Sequence, residues 1–372
     1  MTLTEQTLLA CARACVHSRQ ADASPDNDWA ALERLASDHG VAPLVMRALP
    51  APFASHFQDQ ERQRTKWGLR LTAELLRLLD LFERNAILAL PFKGPVLAEA
   101  LYGDLALRES CDLDLLVHPN DLASAKKVML AAGYTTDLPA DAAQEAAYLR
   151  ARYELHFTTP DGVVPIEIHQ AFLAPSYCLP FDYEALWQRL ERQTFCGREV
   201  PALPAGDLLL MLCAHGAKHS WAELSAVCDI ARLLVVAEER IYWPAVLGEA
   251  RAMGAIRILL LGLSLAADLL DSPLPAEVLA QTRGDRILVS LAGQVRASLF
   301  QDSAGGNGLR FFLRTRERFR DQLRCCARLV LMPNDEDYAW LPLPEILSPL
   351  YYPLHVLRVT GKFGWVSLRS HL

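Results

Sequence analysis

Apolar residues recur at helical spacing over residues 3–17 and 28–48, and again through "RTKWGLRLTAELLRLLDLFERNAI", which predicts a long helix ending near Asn85. The pattern then changes. "AILALPF" is short, apolar and bounded by Pro91 and "KGP", as a strand would be. "PVLAEALYG" returns to helical spacing, with Pro95 in the first turn and Gly103 as its stop. "CDLDLLV" alternates as a strand, and "PNDLASAKKVMLAAGY" reads as a helix capped by Asn120 or Asp121 and ended by Gly133. "YELHFTTPDGVVPIEIHQ" predicts a hairpin around "PDG". After Pro175 the chain is mostly helical, apart from a short strand pair around "QTFCGREVPAL".

These elements predict an α+β fold: a small mixed-sheet core with flanking helices plus a large helical part. The expected divisions are an N-terminal helical segment (1–85), an α/β core (86–175), a helical domain for substrate or nucleotide (176–300) and a C-terminal helical extension (301–372). "FQDSAGGNG" at 300–308 is the linker candidate.

Alternation assigns the strand faces. Residues two apart share a face, so Leu113, Leu115 and Val117 form an apolar row while Asp112 and Asp114 sit together on the other side. Two close carboxylates repel, and burial raises the cost of their charge. The pair is therefore either a solvated face or a site for a hard divalent cation, whose charge removes the repulsion. In the hairpin, Ile166 and Ile168 share one face, and Glu167 and His169 the other. Leu155 and Phe157 lie opposite Glu154 and His156 in the same way. Matching the apolar faces puts His156 across from Glu167 and Leu155 across from Ile168, since a one-residue slip would set every isoleucine against a polar residue. A bulged turn at Gly162 would break that match. Glu167 thus becomes a third carboxylate beside Asp112 and Asp114, and three carboxylates on adjacent strands suit a two-cation site for phosphoryl or nucleotidyl transfer.

The stretch "FKGPVLAEALYGDLALRESCDLDLLV", the helix ending "AAGY" and the "IEIH" strand together resemble the uncharacterised bacterial nucleotidyltransferase-like proteins of the polymerase-beta-type nucleotidyltransferase superfamily. The match covers about 85–170, with a looser likeness at "HGAKHSWAELSAVCDIARLL". The resemblance implies that Asp112 and Asp114 are metal ligands. It implies that Glu167 is the third carboxylate, ligating the catalytic metal and helping to deprotonate the acceptor. Gly94 would open the helix whose start faces the triphosphate. Lys93-Gly94 stands where Gly-Ser is usual, and the gap from Gly94 to Asp112 is longer; Lys93 would supply charge in place of the missing hydroxyl. Implied with this are Mg²⁺ (or Mn²⁺) as cofactor, an NTP as donor and an acceptor hydroxyl. Lys218 and His219 are the remaining expected nucleotide contacts, with Arg108 either a third or the partner of Glu109 or an aspartate, and His156 and His169 are further site candidates.

Other features carry plainer readings. His215 and His219 are spaced as zinc helices space their ligands, but Gly216 stands where the glutamate of H-E-x-x-H would be. Asp229, on a largely apolar helix, is expected to partner a buried arginine or a helix end. "RFFLRTRERFRDQLRCCAR" predicts a helix with one face of Arg310, Arg314 and Arg318 and another of Phe312, Phe319 and Leu323, solvated or set against an anionic partner. The aromatic, Pro-rich tail is expected to pack onto the helical part.

Composition narrows the partners. A net charge of -7 argues against general nucleic-acid binding, so the acceptor is expected to be a small hydroxylated molecule or a peptide, with a protein or tRNA target as the variant. Nine cysteines without a CxxC suggest reduced thiols and a cytoplasmic protein. The most apolar run, "AIRILLLGLSLAADLL", carries Arg257 and Asp268 and is too short to span a bilayer, so it reads as a buried helix. A non-catalytic nucleotide-binding or scaffold protein is the rival reading; loss of a carboxylate would favour it, and none of the three is missing.

Overall fold

A computed structural model of the chain describes residues 1–22, 24, 26–54, 58–137, 153–300, 308–333, 337, 340–341, 343 and 345–358. The expected linker lies almost wholly outside these residues, as does the end of the aromatic tail. The fold is α+β with a large helical portion.

The alternating segments build one five-stranded mixed sheet: β1 (Ala89–Pro91), β2 (Leu113–Val117), β3 (Thr135–Thr136), β4 (Glu154–Thr158) and β5 (Pro165–His169), in the order β1-β2-β5-β4-β3. β2 and β5 run parallel, and the other pairs are antiparallel. The hairpin takes the expected register, with His156 opposite Glu167 and Leu155 opposite Ile168. Gly162 has a positive φ of 74° in the intervening loop, yet the pairing resumes without a slip. The reason is the apolar face: Leu113, Leu115, Val117, Leu155, Phe157, Ile166 and Ile168 are all buried in one cluster. The Gln58–Arg84 helix covers them with Leu71, Leu75, Leu78 and Phe82, and the Leu122–Ala131 helix with Ala125 and Met129. Each of the Leu, Val, Ile, Phe and Met side chains contributes roughly 1.5–3 kcal/mol on burial, far more than a slipped register could recover.

The opposite face is divided. Leu90, Phe92 and Leu116 pack into a second cluster formed by the helical part, and the polar side chains occupy the rest. That cluster includes Leu8 and Ala12 from the Leu3–Val16 helix together with the Ala205–Lys218, Leu224–Val236 and Ile256–Leu270 helices. The last of these is the expected buried helix, with Ile258 to Ala266 all buried. No helix among the described residues is long and apolar enough to cross a membrane. The short pair β6 (Glu191–Phe195) and β7 (Arg198–Ala202) forms a separate two-stranded sheet, as "QTFCGREVPAL" suggested.

Local details depart from the sequence reading at five places, of which the two-residue strand β3, unmarked by any alternation, is one. Residues 28–48 form two helices, Trp29–Asp38 and Ala42–Ala48, divided at Gly40, whose φ is +62°. Neither Asn120 nor Asp121 caps the following helix with its side chain; a 3-10 turn at Pro119–Asp121 intervenes, and the His118 ring accepts from the Asn120 amide. β2 starts at Leu113, so Asp112 stands just ahead of the strand. The 310–328 segment breaks into helices Gly308–Thr315 and Phe319–Leu331, because Arg316 between them turns inward and is fully buried. Arg316 donates to the carbonyls of Cys178 and Met253. Past that break Phe319 and Leu323 are exposed, while Phe312 remains in the core.

All nine cysteines are unbridged. Cys111, Cys196 and Cys326 are the exposed ones. Ellman titration of native protein should label these three first. Partial burial and neighbouring carboxylates push the thiols of Cys111 (Asp112, Glu109) and Cys196 (Glu99) upward, which lowers their thiolate fraction. Peptide mapping that found Cys213 or Cys228 labelled early would contradict the packing.

Candidate active site

The parallel pairing of β2 with β5 sets Asp114 beside Glu167. His169 follows two residues on and so shares the Glu167 face. The antiparallel pairing of β4 adds Glu154 opposite His169 and His156 opposite Glu167. From the other side, β1 pairs with β2 and delivers Lys93 immediately after its end, at the start of the Gly94–Tyr102 helix. Gly94 begins that helix with φ +66°, and a Cβ there would approach the Asp112 carbonyl to 3.6 Å. A left-handed residue is what turns the chain from strand to helix at this point, which explains the glycine.

Asp114 is the centre of the cluster. Its Oδ1 accepts from Lys93 Nζ and from His169 Nε2, both at 3.0 Å. His169 Nε2 also lies 3.2 Å from Glu167 Oε2, and its Nδ1 lies 3.3 Å from Glu154 Oε2. His156 Nε2 stands 3.3 Å from Glu154 Oε1. Asp114 and His169 are almost closed to solvent, at 4% and 3%, whereas the Glu167 side chain keeps 28% exposure. Of Asp114 and Glu167, Glu167 is therefore the carboxylate that an incoming molecule reaches. Phe92 sets its ring edge-on against His169, and Tyr153 tilts against the imidazole from another side.

Electrostatics divide the two aspartates. Burial opposes the charge on Asp114, but Lys93 and His169 outweigh it and hold the carboxyl well below the usual range. Burial also lifts Asp112, and the negative charges of Asp114 and Glu167 raise it further, to about 6. Burial likewise opposes a charged His169, yet its hydrogen bonds to Asp114 and Glu167 prevail and its pKa is raised. Glu154 is lowered: burial acts against its charge, and the hydrogen bond to His156 and the nearby His169 overcome it.

One ligand atom from each of Asp114, Glu167 and His169 lies within 4.8 Å of the others. Two carboxylate oxygens and an imidazole nitrogen form a donor set that suits a divalent cation. Asp112 flanks this group, close enough for its charge to be felt. The expected residues thus fall into three positions. Asp114, Glu167, His169 and Lys93 meet directly, and His156 stands at the rim. Lys218 reaches the same side, donating to the Tyr153 hydroxyl at 3.1 Å. His219 follows Lys218 at the end of the Ala205–Lys218 helix, 4.7 Å from the His215 ring. Arg108 donates through Nε to Asp229 at 2.8 Å and through Nη1 to Ser110 at 2.9 Å. Tyr102 also donates to Asp229, so this aspartate is the partner of a buried arginine.

Three contributors were not among the expected site residues. Glu154 was visible on the polar hairpin face but had no motif to mark it. Tyr153 precedes β4 and reads as an ordinary core aromatic. His215 is depressed well below its usual value by burial and then by the positive charges of Lys93, His219 and Lys218, which places it in the same basic neighbourhood. No metal-ligand group forms at His215 and His219 among the described residues.

A search among curated proteins finds no match. The sequence profile described as "Uncharacterised nucleotidyltransferase" matches residues 25–271. That span takes in the whole sheet, the acidic cluster, and the helices that carry Lys218 and Asp229. The chain belongs to this uncharacterised nucleotidyltransferase family.

Proposed function

We propose that this protein moves a nucleoside monophosphate from an NTP to an acceptor hydroxyl, releasing pyrophosphate, as a member of the polymerase-beta-type superfamily. The observation that carries the reading is the group formed by Asp114, Glu167 and His169 beside the Lys93–Gly94 helix start. Asp114, Glu167 and His169 would hold a divalent cation, Mg²⁺ or Mn²⁺, with Asp112 at its edge. Such an ion supplies charge neutralisation at the reacting phosphate. Lys93 and Lys218 present ammonium groups to the triphosphate, with His219 and the through-space charge of Arg108 behind them. The N–H groups of the first turn of the Gly94–Tyr102 helix, Pro95 having none, would face an anion placed before it. Glu167, a half-buried carboxylate, accepts the proton of the acceptor hydroxyl. His156 and Glu154 keep His169 oriented. The net charge of -7 favours a small hydroxylated molecule or peptide over nucleic acid as acceptor.

Thermal melts with Mg²⁺ alone, NTP alone and both together test this reading. The pair should raise the melting temperature where neither does alone, and EDTA should abolish the gain. A ligand at a hundred times its Kd adds about 2.7 kcal/mol. Labelled NTPs incubated with metabolite extracts should then yield a labelled product and pyrophosphate. Absence of metal-dependent nucleotide stabilisation would remove the reading. Binding without turnover across extracts would favour a nucleotide-binding protein that does no chemistry.

A further inference from the structure

At the opposite end of the Gly94–Tyr102 helix from Lys93, a pocket of about 270 Å³ is lined by Ser18, Arg19, Gln20, Arg47, Tyr102 and Arg232, among others. Nine residues at 1.5 Å rise set the two ends roughly 13 Å apart. No carboxylate lines this pocket, in a chain whose net charge is -7.

None of the three arginines donates a hydrogen bond to a carboxylate among the described residues. Arg232 donates through Nε to the Leu101 carbonyl at 2.7 Å, and through Nη1 to the Val16 carbonyl at 2.6 Å and Ser18 Oγ at 3.1 Å. All three acceptors are neutral. Its Nη2 has no hydrogen-bond partner among the described residues. The two carbonyls belong to the last turns of separate helices, so this guanidinium is locked in place before any ligand arrives. Arg47 has Asp104 at 3.9 Å, beyond hydrogen-bond reach, and Arg19 makes no side-chain ion pair among the described residues. The charge is felt locally: burial pushes the Cys15 thiol up to about 11, while Arg232 and Arg47 pull against that shift.

We propose that this pocket is a second binding site, separate from the acidic cluster, which takes a small molecule carrying one or two phosphate groups through Arg19, Arg47 and Arg232. Guanidinium forks match phosphate oxygens in paired hydrogen bonds, and a preset arginine loses little on binding. The volume lies just under the usual range of about 300–1,000 Å³ for ligand pockets, so a phosphate or diphosphate with a small body fits better than a whole NTP. Tyr102 spends its hydroxyl on Asp229 and offers the pocket its ring. Ser18 and Gln20 add neutral polar groups at the mouth.

Phenylglyoxal modification of the full chain in EDTA, with and without inorganic pyrophosphate, locates the site by peptide mapping. Pyrophosphate should slow modification of Arg19 and Arg47 severalfold, whereas malonate at matched ionic strength should not. Pyrophosphate should also raise the melting temperature of the wild-type chain in EDTA, and the double variant Arg19→Gln/Arg47→Gln should lose that rise. Both substituted residues are exposed, so the variant keeps its fold, and Arg232 is left to hold the helix ends. Unprotected arginines, or no melting shift in the wild-type chain, would overturn the proposal. So would a shift undiminished in the double variant, which would place the anion elsewhere. Equal protection by malonate would overturn the assignment to phosphate.

Discussion

Replacing Asp114 by Asn is expected to destabilise the metal-free protein, while replacing Asp112 by Asn leaves it as stable or makes it more so. Two adjacent carboxylates by themselves suggest that either charge is a cost. The structure separates them. Asp114 accepts from Lys93 and His169 in a nearly closed site. Its neutralisation strands the Lys93 ammonium, which keeps only 14% exposure. Removing one partner of a buried pair costs about 3–5 kcal/mol; the loss here should lie near 3, since His169 can shed its proton. Asp112 has the opposite balance. Burial and the charges of Asp114 and Glu167 disfavour its ionised form, so an amide there relieves repulsion. Urea denaturation at pH 8 in EDTA reads both effects, and both variants should lose metal-dependent nucleotide stabilisation. Equal destabilisation by the two would show that Asp112 has a counter-charge of its own.

The second large effect concerns Gly216 and Trp221. The indole of Trp221 is fully buried, and a Cβ at Gly216 would lie 2.3 Å from Trp221 Cζ3. Gly262, on the Ile256–Leu270 helix, approaches the same ring, with a Cβ there 2.9 Å from Cη2. Two helices thus close around one indole because each has a glycine in front of it. Gly216→Ala should gain up to about 1 kcal/mol of helix propensity yet lose more to the clash. Overpacking in a filled core costs roughly 1–3 kcal/mol. Trp221→Ala alone should cost about 3–5 kcal/mol. In the Trp221→Ala background, Gly216→Ala should become neutral or favourable, a coupling that a double-mutant cycle in urea measures directly. Additive losses would mean that the ring and the glycine do not touch. The same packing explains why the spacing of His215 and His219 comes without the glutamate of a zinc helix: no side chain fits at 216.

The sequence by itself determined four of the five strands and the acidic face. A period of two assigns each strand residue to one side, and only one register of the hairpin keeps Leu155 and Phe157 against Ile166 and Ile168, so His156 had to meet Glu167. The helix over 95–103 was equally legible from Pro95 and Gly103, because its ends depend on local backbone chemistry. What covers each face was not legible, because periodicity states which side is apolar and is silent about the element that meets it. Only the tertiary structure brought Lys93 to Asp114, joined Arg108 to Asp229 across 121 residues, and put His169 rather than Asp112 in the tight group with Asp114 and Glu167. It also turned Arg316 inward, out of a segment whose pattern predicted one continuous amphipathic helix. Charges pair through space in a desolvated interior, and their partners come from whichever elements the two apolar cores bring together.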